Sequence, residues 1–424
     1  MKKILSVIGV LVFGVGMFFV GYFVRNFKDP DLVSLKFVLD TYKKHYLEQE
    51  DNYIELMVEG LLDEYSEYYT KEEYELIKKT AKGVRSGIGV TVANRDGNAY
   101  LSDIKGNSPA EIAGVKKGGY IIGMKKATES EFVAINYKSF STTIDSYANG
   151  EKFNLKVDYG GEEKTFEVAK REYTETYVFY SDSTGSYRFT DWGGSSLELV
   201  KYDLELEFTL PSDTAYLRYR SFNGTSNDLY GSAKQVEEVM EKFESSGKSK
   251  IIIDLRGNGG GYMDIMCDIS AHFVGAQKND RVLVSYAKYN DGKRDEFKSA
   301  KVKYTDYGFS NIIILADSNT ASASEAFIGA CLDYDDRNVV DVVLSRNGNG
   351  EYKTYGKGIM QTTFVNFAVG DALKLTTAKI YWPKSNVSIH GVGVTKNLSA
   401  FASKIHNAPY QENIDYELAY ALSL

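Results

Sequence analysis

Ser322 and Lys357 stand in the two stretches of this chain best suited to chemistry. Ser322 lies in Thr320-Ala321-Ser322-Ala323-Ser324-Glu325, shortly after the apolar run Ile312-Ile313-Ile314-Leu315. A strand that stops at a small-residue turn and opens into a helix holds a hydroxyl at an exposed corner. The free N–H groups of the helix's first turn lie beside it and can stabilise an oxyanion. Lys357 sits between Gly356 and Gly358. A lysine replaces histidine as general base once burial lowers its pKa. Together they read as a serine–lysine hydrolase. Each alone has a plainer reading. Ser322 is a helix N-cap that makes a capping box with Glu325, and Lys357 is a solvated surface lysine. Ser324 reads as a first-turn residue that bonds to backbone.

The elements around this pair read as α/β. Ala215–Tyr219 is a strand, and Leu229, Ala233, Val236, Met240 and Phe243 mark an amphipathic helix. The buried strand Ile251–Leu255 runs into Arg256-Gly257-Asn258-Gly259-Gly260-Gly261, and a helix follows through Met266 and Ile269. Val282–Val284, Ile312–Leu315 and Val339–Leu344 are further strands, so a layered α/β core is expected. The glycine loop lacks the Gly-Lys-Ser/Thr end of a phosphate loop. Its glycines let backbone N–H groups approach a ligand, as one half of an oxyanion hole, or simply make a tight turn.

Upstream, residues 31–80 show helical spacing at Leu35, Leu39, Tyr42 and Tyr46 and again at Ile54, Met57, Val58, Leu61 and Leu62. Residues 83–172 change to strands. Asp96-Gly97 marks a hairpin, Ser108–Gly114 a short capped helix, and Gly160-Gly161 a last hairpin. This order resembles a PDZ domain, with Gly87-Ile88-Gly89-Val90 in the place of the carboxylate-binding loop. Consecutive N–H groups in a glycine turn nest a terminal carboxylate, and the next strand edge pairs with an incoming peptide. Lys117-Gly118-Gly119 departs from the Pro-Gly-Asp usual in that family. Residues 174–213 read as a linker with hairpins.

Composition narrows the function. The chain has 424 residues and a net charge of −8, with 43% hydrophobic and 25% charged residues. It is globular, and no basic stripe suits nucleic acid. Four scattered histidines make no HExxH pair, so neither a zinc hydrolase nor a metal cofactor is expected. Cys267 and Cys331 read as buried free thiols in helices, with a disulfide left open. Lys2 and Lys3 precede the apolar stretch Ile4–Val24, long enough to span a bilayer. No A-x-A-like cleavage site follows, so an uncleaved single-pass anchor is expected, with the bulk extracytoplasmic on a slight positive-inside bias.

The ordered motifs resemble the carboxyl-terminal processing peptidases, serine–lysine enzymes that join a PDZ domain to a crotonase-like α/β core. The motifs are Leu62–Tyr68, Gly87–Val90, Asp254–Gly261, Thr320–Glu325, Gly350-Glu351 with Tyr355–Gly358, Ala372–Ala378 and His390–Val394. The resemblance implies Ser322 as nucleophile, Lys357 as base and Gln361 as the group orienting the lysine, on a shared face if that segment is helical. It implies the N–H groups of Ala323 and of Gly260 or Gly261 as oxyanion hole, and no cofactor. The serine-to-lysine interval is longer than usual, with Ser345–Gly350 as the extra loop. Lys353 is therefore a spare candidate for the base, and His390 carries only a small prospect of a direct role.

The expected fold class is α+β multidomain: an N-terminal membrane helix (1–28), a helical region (29–80), a PDZ-like β domain (81–173), the linker (174–213) and a crotonase-like (ClpP/crotonase) α/β catalytic core (214–424). The expected partners are protein or peptide substrates with apolar C-termini, and the membrane through the N-terminal helix. A homo-oligomer or activating partner stays open. Rival readings are an acyl-transfer or hydratase activity on the same core, and a catalytically degenerate PDZ peptide-binding protein.

Overall fold

The computed structural model describes residues 30–45, 53–81, 84–174, 176–189, 199–202, 206–224, 231–275 and 277–424. The expected membrane span lies outside them. Among the described residues, no helix is long and apolar enough to cross a membrane. The chain divides into two compact units, 1–68 and 69–424, so the division falls inside the segment expected as one helical region. The first unit contains α1 (Pro30–His45) and α2 (Tyr53–Glu59).

The second unit opens with α3 (Lys71–Ala81) and the strand β1 (Val84–Gly87). A sheet follows, built from β2 (Val90–Arg95), β3 (Asn98–Ile104), β4 (Tyr120–Lys126), β5 (Lys152–Asp158) and β6 (Glu163–Ala169) in that spatial order, with a short extra strand on β4. Two helices accompany it. The short α4 (Pro109–Ile112) is capped by Ser108, and α5 (Tyr137–Asp145) starts at a capping box between Asn136 and Ser139. Alternating side chains of β5 point inward, so Phe153, Leu155 and Val157 join Leu101, Ile121 and Phe140 in a core of its own. β2 lies at the edge of this sheet, and β1 pairs instead with β7 (Arg171–Thr174).

The segment expected as a linker supplies strands to the main sheet. β8 (Val178–Asp182), β9 (Gly185–Phe189) and β10 (Leu199–Lys201) pair antiparallel in sequence. β8 then pairs with β11 (Thr214–Tyr219), the first of a run of parallel strands continued by β12 (Lys250–Asp254), β15 (Asn311–Ala316), β16 (Val340–Leu344) and β19 (Ile405–Asn407). Val178–Asp182 is buried throughout. A wholly buried run reads in sequence as ambiguous, and here it completes an eight-stranded sheet.

Helices fill the crossovers. α6 (Ser232–Ser245) buries Val236, Val239, Met240 and Phe243, as its spacing predicts. α7 (Met263–Ser270) follows the glycine loop and carries Cys267. α8 (Ala323–Asp333) is buried from Ala323 to Leu332, so it has no polar face, and it carries Cys331. Both thiols are free and buried, and burial raises the Cys267 thiol to about 12. A second group of strands comprises β13 (Leu283–Tyr289), β14 (Arg294–Lys298), β17 (Ile359–Val365) and β18 (Ala372–Tyr381), paired β17-β18-β13-β14. α8 passes so close to it that a Cβ at Gly329 would lie 2.2 Å from the Trp382 ring. α9 (Tyr416–Ser423) closes the chain.

Ion pairs tie the β2–β6 sheet to the main sheet. Asp103 pairs with Arg220, and Glu111 pairs with Arg188 while accepting the Tyr202 hydroxyl at 2.9 Å.

Candidate active site

The Ser322 turn forms because β15 must stop where α8 begins. Ser322 stands at the N-cap of α8 with φ 59° and ψ −117°, a conformation that non-glycine residues adopt only under strain. The turn is held by a network centred on Asn258. Its main-chain oxygen accepts the Ala321 N–H at 3.1 Å and the Ser324 hydroxyl at 2.9 Å. Its side chain donates to Tyr219 O and accepts the Gly260 N–H, both at 2.9 Å. Ser324 is thus a buried structural serine.

Gly260 and Gly261 take φ +98° and +147°. A Cβ on Gly260 would stand 2.8 Å from the Ala323 nitrogen, and one on Gly261 would stand 2.2 Å from Phe222 O. Glycine is required here because backbone lies against backbone. The two N–H groups differ. That of Gly260 donates to Asn258 Oδ1, which leaves Gly261 of the two expected alternatives with its N–H unengaged. Those of Gly261 and Ala323 donate to no acceptor among the described residues.

Lys357 precedes β17 in an irregular stretch. Ser322, Lys357, Gln361 and Gly261 line one cavity of about 440 Å³, with Tyr69, Ile77, Met263, Ile359 and Ile380 supplying apolar wall. Gln361 lies on a strand, not a helix, so helical spacing does not place it beside Lys357. A register irregularity between Met360 and Gln361 interrupts the pairing with β18, and Gln361 Nε2 donates to Thr376 Oγ1 at 3.1 Å. Lys353 pairs instead with Glu351 at 3.7 Å and does not line the cavity. The Ser345–Gly350 loop folds back on itself through an Arg346–Tyr352 bridge. His390 packs its backbone against Gly358, where a Cβ would meet the His390 nitrogen at 2.6 Å.

Glu325 is the residue whose importance the sequence understates. It is fully buried. Its Oε2 accepts the N–H of Ser322 and of Lys357, each at 2.9 Å. Its Oε1 accepts the Gly356 N–H at 2.7 Å and the Thr354 hydroxyl. Burial pushes its pKa up, against the pull of these four donors. The capping-box pattern signals only the bond to Ser322; Thr354, just before the lysine motif, is the one local sign of the rest.

The glycine loop has a second anchor. Arg256 pairs with Asp254 at 2.7 Å, with Asp415 at 2.7 Å and with Glu417 at 3.0 Å, fastening α9 beneath the loop. Burial disfavours the Asp254 charge, but Arg256 beside it holds the pKa below the usual carboxylate range.

The expected peptide-binding loop is a turn that only glycine fits. Gly87 and Gly89 take φ +136° and +76°, and a Cβ on Gly89 would lie 2.1 Å from Ser108 Cβ. Ile88 is buried, and its carbonyl accepts the Ala110 N–H at 2.9 Å. Val90 opens β2, the edge strand.

Residues 213–400 match the model of peptidase family S41. A CtpA-like serine protease of Staphylococcus saprophyticus is 27% identical over 362 residues, 84% of this chain and 61% of its own length. One from Staphylococcus aureus is 26% identical over 401 residues, 91% of this chain and 68% of its own. The chain thus spans about three fifths to two thirds of these longer relatives. A solved S41 protease structure from Bacteroides fragilis superposes with a TM-score of 0.55 at 17% identity, covering 89% of this chain and 92% of that one. At that identity the likeness concerns the fold.

Proposed function

Because residues 213–400 of this chain match the model of peptidase family S41, we propose that it is a serine endopeptidase working through a Ser322–Lys357 dyad. One observation carries the reading: both residues line the same cavity, beside N–H groups with no acceptor of their own among the described residues.

Neutral Lys357 takes the proton of Ser322 as Oγ attacks the scissile carbonyl. An ammonium cannot accept that proton, so the mechanism demands a desolvated, neutral amine. The oxyanion sits against the Gly261 and Ala323 N–H groups; each such donor is worth on the order of 3 kcal/mol. Lysine then protonates the leaving amine, and water hydrolyses the acyl-enzyme. Gln361, from the same wall, orients the lysine. The glycine turn Gly87–Val90 and the β2 edge capture a substrate C-terminus with apolar last residues, in the manner of a PDZ domain. The Ile4–Val24 stretch anchors the chain in the cell membrane with the catalytic part extracytoplasmic.

The test is cleavage of an unfolded protein bearing an apolar C-terminus. Ser322→Ala and Lys357→Ala should each lose at least about a thousandfold in kcat/KM, while Lys353→Ala stays active and the wild-type rate rises from neutral to alkaline pH. Full activity of Lys357→Ala, or a rate flat from about pH 6 to 10, would remove the dyad. Amidation of the substrate C-terminus should cut kcat/KM sharply.

A further inference from the structure

A second cavity, of about 620 Å³, lies between the β2–β6 sheet and the main sheet, within the 69–424 unit. Its wall carries Arg85, Lys105, Lys117, Arg218, Arg220 and Arg256 against a single carboxylate, Asp103. That carboxylate already serves both Lys105 and Arg220. Arg256 is engaged by Asp254, Asp415 and Glu417. Arg85 has a partner of its own. Lys117 and Arg218 remain; Asp103 and Asp254 feel the charge of Arg218, but neither Lys117 nor Arg218 forms an ion pair among the described residues. Arg218 Nε is buried and has no hydrogen-bond partner there. Partial burial, then repulsion from Arg218, lowers the pKa of Lys117. Cations gathered in one cavity without matching anions are costly unless a ligand supplies the negative charge.

The size and position of the cavity identify the occupant. Its volume is in the range that holds a ligand of several residues and exceeds what a lone small anion fills. Asn223 lines both this cavity and the one holding Ser322, so the two adjoin. A polypeptide lying in the first reaches the second, and its negatively charged groups are carboxylates.

We propose that this cavity, through Arg218 and Lys117, binds an acidic segment of the polypeptide that occupies the adjoining cleft. The class of occupant rests on the peptidase reading, whereas the anion preference does not. The site adds a selectivity for Asp- and Glu-bearing substrates to recognition of their C-termini. Planar guanidinium suits carboxylate pairing, and Lys117 adds a point charge at the rim.

The experiment is binding, not turnover. A fluorescent hexaglutamate peptide, acetylated and amidated so that it has no terminal charges, is titrated into the full chain carrying Ser322→Ala, beside a hexaglutamine control. We expect hexaglutamate to bind at least about tenfold tighter than the control, with affinity falling as salt rises. Arg218→Gln and Lys117→Gln should each weaken it at least about fivefold, with Lys117→Arg retaining it. Lys117 lies in a turn at the rim of the cavity, outside the sheet strands, so its variants test the site even if Arg218→Gln fails to fold. Equal affinity for the two peptides, or hexaglutamate binding unmoved by Lys117→Gln, overturns the proposal. So does tight phosphate binding without hexaglutamate binding, which would make the cavity a small-anion site. Because Ser322 is already absent, a failure of the peptidase mechanism leaves this result readable.

Discussion

Ser322 and Lys357 hang from a single oxygen atom: Glu325 Oε2 accepts the main-chain N–H of each at 2.9 Å. The distance between the two segments is therefore set by a buried carboxyl group, not by the loop that joins them in sequence. A longer Ser345–Gly350 loop can be tolerated for that reason, because loop length adds little free energy while the two ends are clamped.

Glu325→Ala should damage the site and the fold together. It strands the donors of Ser322, Thr354, Gly356 and Lys357 in a buried place. At about 1–3 kcal/mol for an unsatisfied buried group, with partial relaxation, we expect a loss on the order of 3–5 kcal/mol. Urea unfolding measures it. A loss below about 1 kcal/mol would mean that the two segments are held by other contacts.

Gly260→Ala tests the closeness of the glycine loop to the Ser322 turn. The new methyl group would meet Ala321 O at 2.7 Å and the Ala323 nitrogen at 2.8 Å, at φ +98°. The loop must move, and the Gly261 and Ala323 donors lose their alignment. We expect kcat to fall by about a hundredfold with KM little changed. A matched rise in KM with kcat intact would place the loop in substrate binding instead.

Arg256→Ala should uncouple α9. It leaves Asp254, 1% exposed, without its cation, and frees Asp415 and Glu417 at the start of the helix. Breaking such a buried pair costs on the order of 3–5 kcal/mol. Arg256→Lys cannot reproduce the forked contacts and should recover only part of that. Thermal denaturation of the three proteins gives the order wild type, lysine, alanine; an equal melting temperature for all three contradicts the anchor.

His272 makes the fold sensitive to acid. It is buried against the Tyr307 hydroxyl at 2.6 Å, and burial followed by Lys303 lowers its pKa to about 3. The unfolded residue titrates near 6.5. Between these values the unfolded chain holds the extra proton, so stability is full above about pH 6.5 and declines as pH falls toward 3. The slope can reach about 1.4 kcal/mol per pH unit. In His272→Gln the slope between about pH 6 and 4.5 should be shallower; an unchanged slope would assign the acid sensitivity elsewhere.

Much of the catalytic core is legible in the amino-acid sequence. Hydrophobic runs mark β12, β15 and β16, and glycines mark the turns, because local sterics decide where a strand can end. Ser322, Lys357 and the glycine loop are readable because each sits in a local pattern of small residues. Gln361 is legible as a candidate but not as a strand residue. Its conformation depends on pairing with β18, and no residue near it reports that partner.

The sequence alone therefore determined the elements and the candidate chemistry, since propensity, turns and spacing act over a few residues. Only the tertiary structure decided which groups meet. It placed Lys357 rather than Lys353 in the cleft, took the Gly260 N–H out of use, and made Glu325 a clamp between distant segments. It also gathered cations from two sheets around one cavity. Those outcomes depend on long-range packing, in which a residue's partner is set by the whole fold and leaves no local trace.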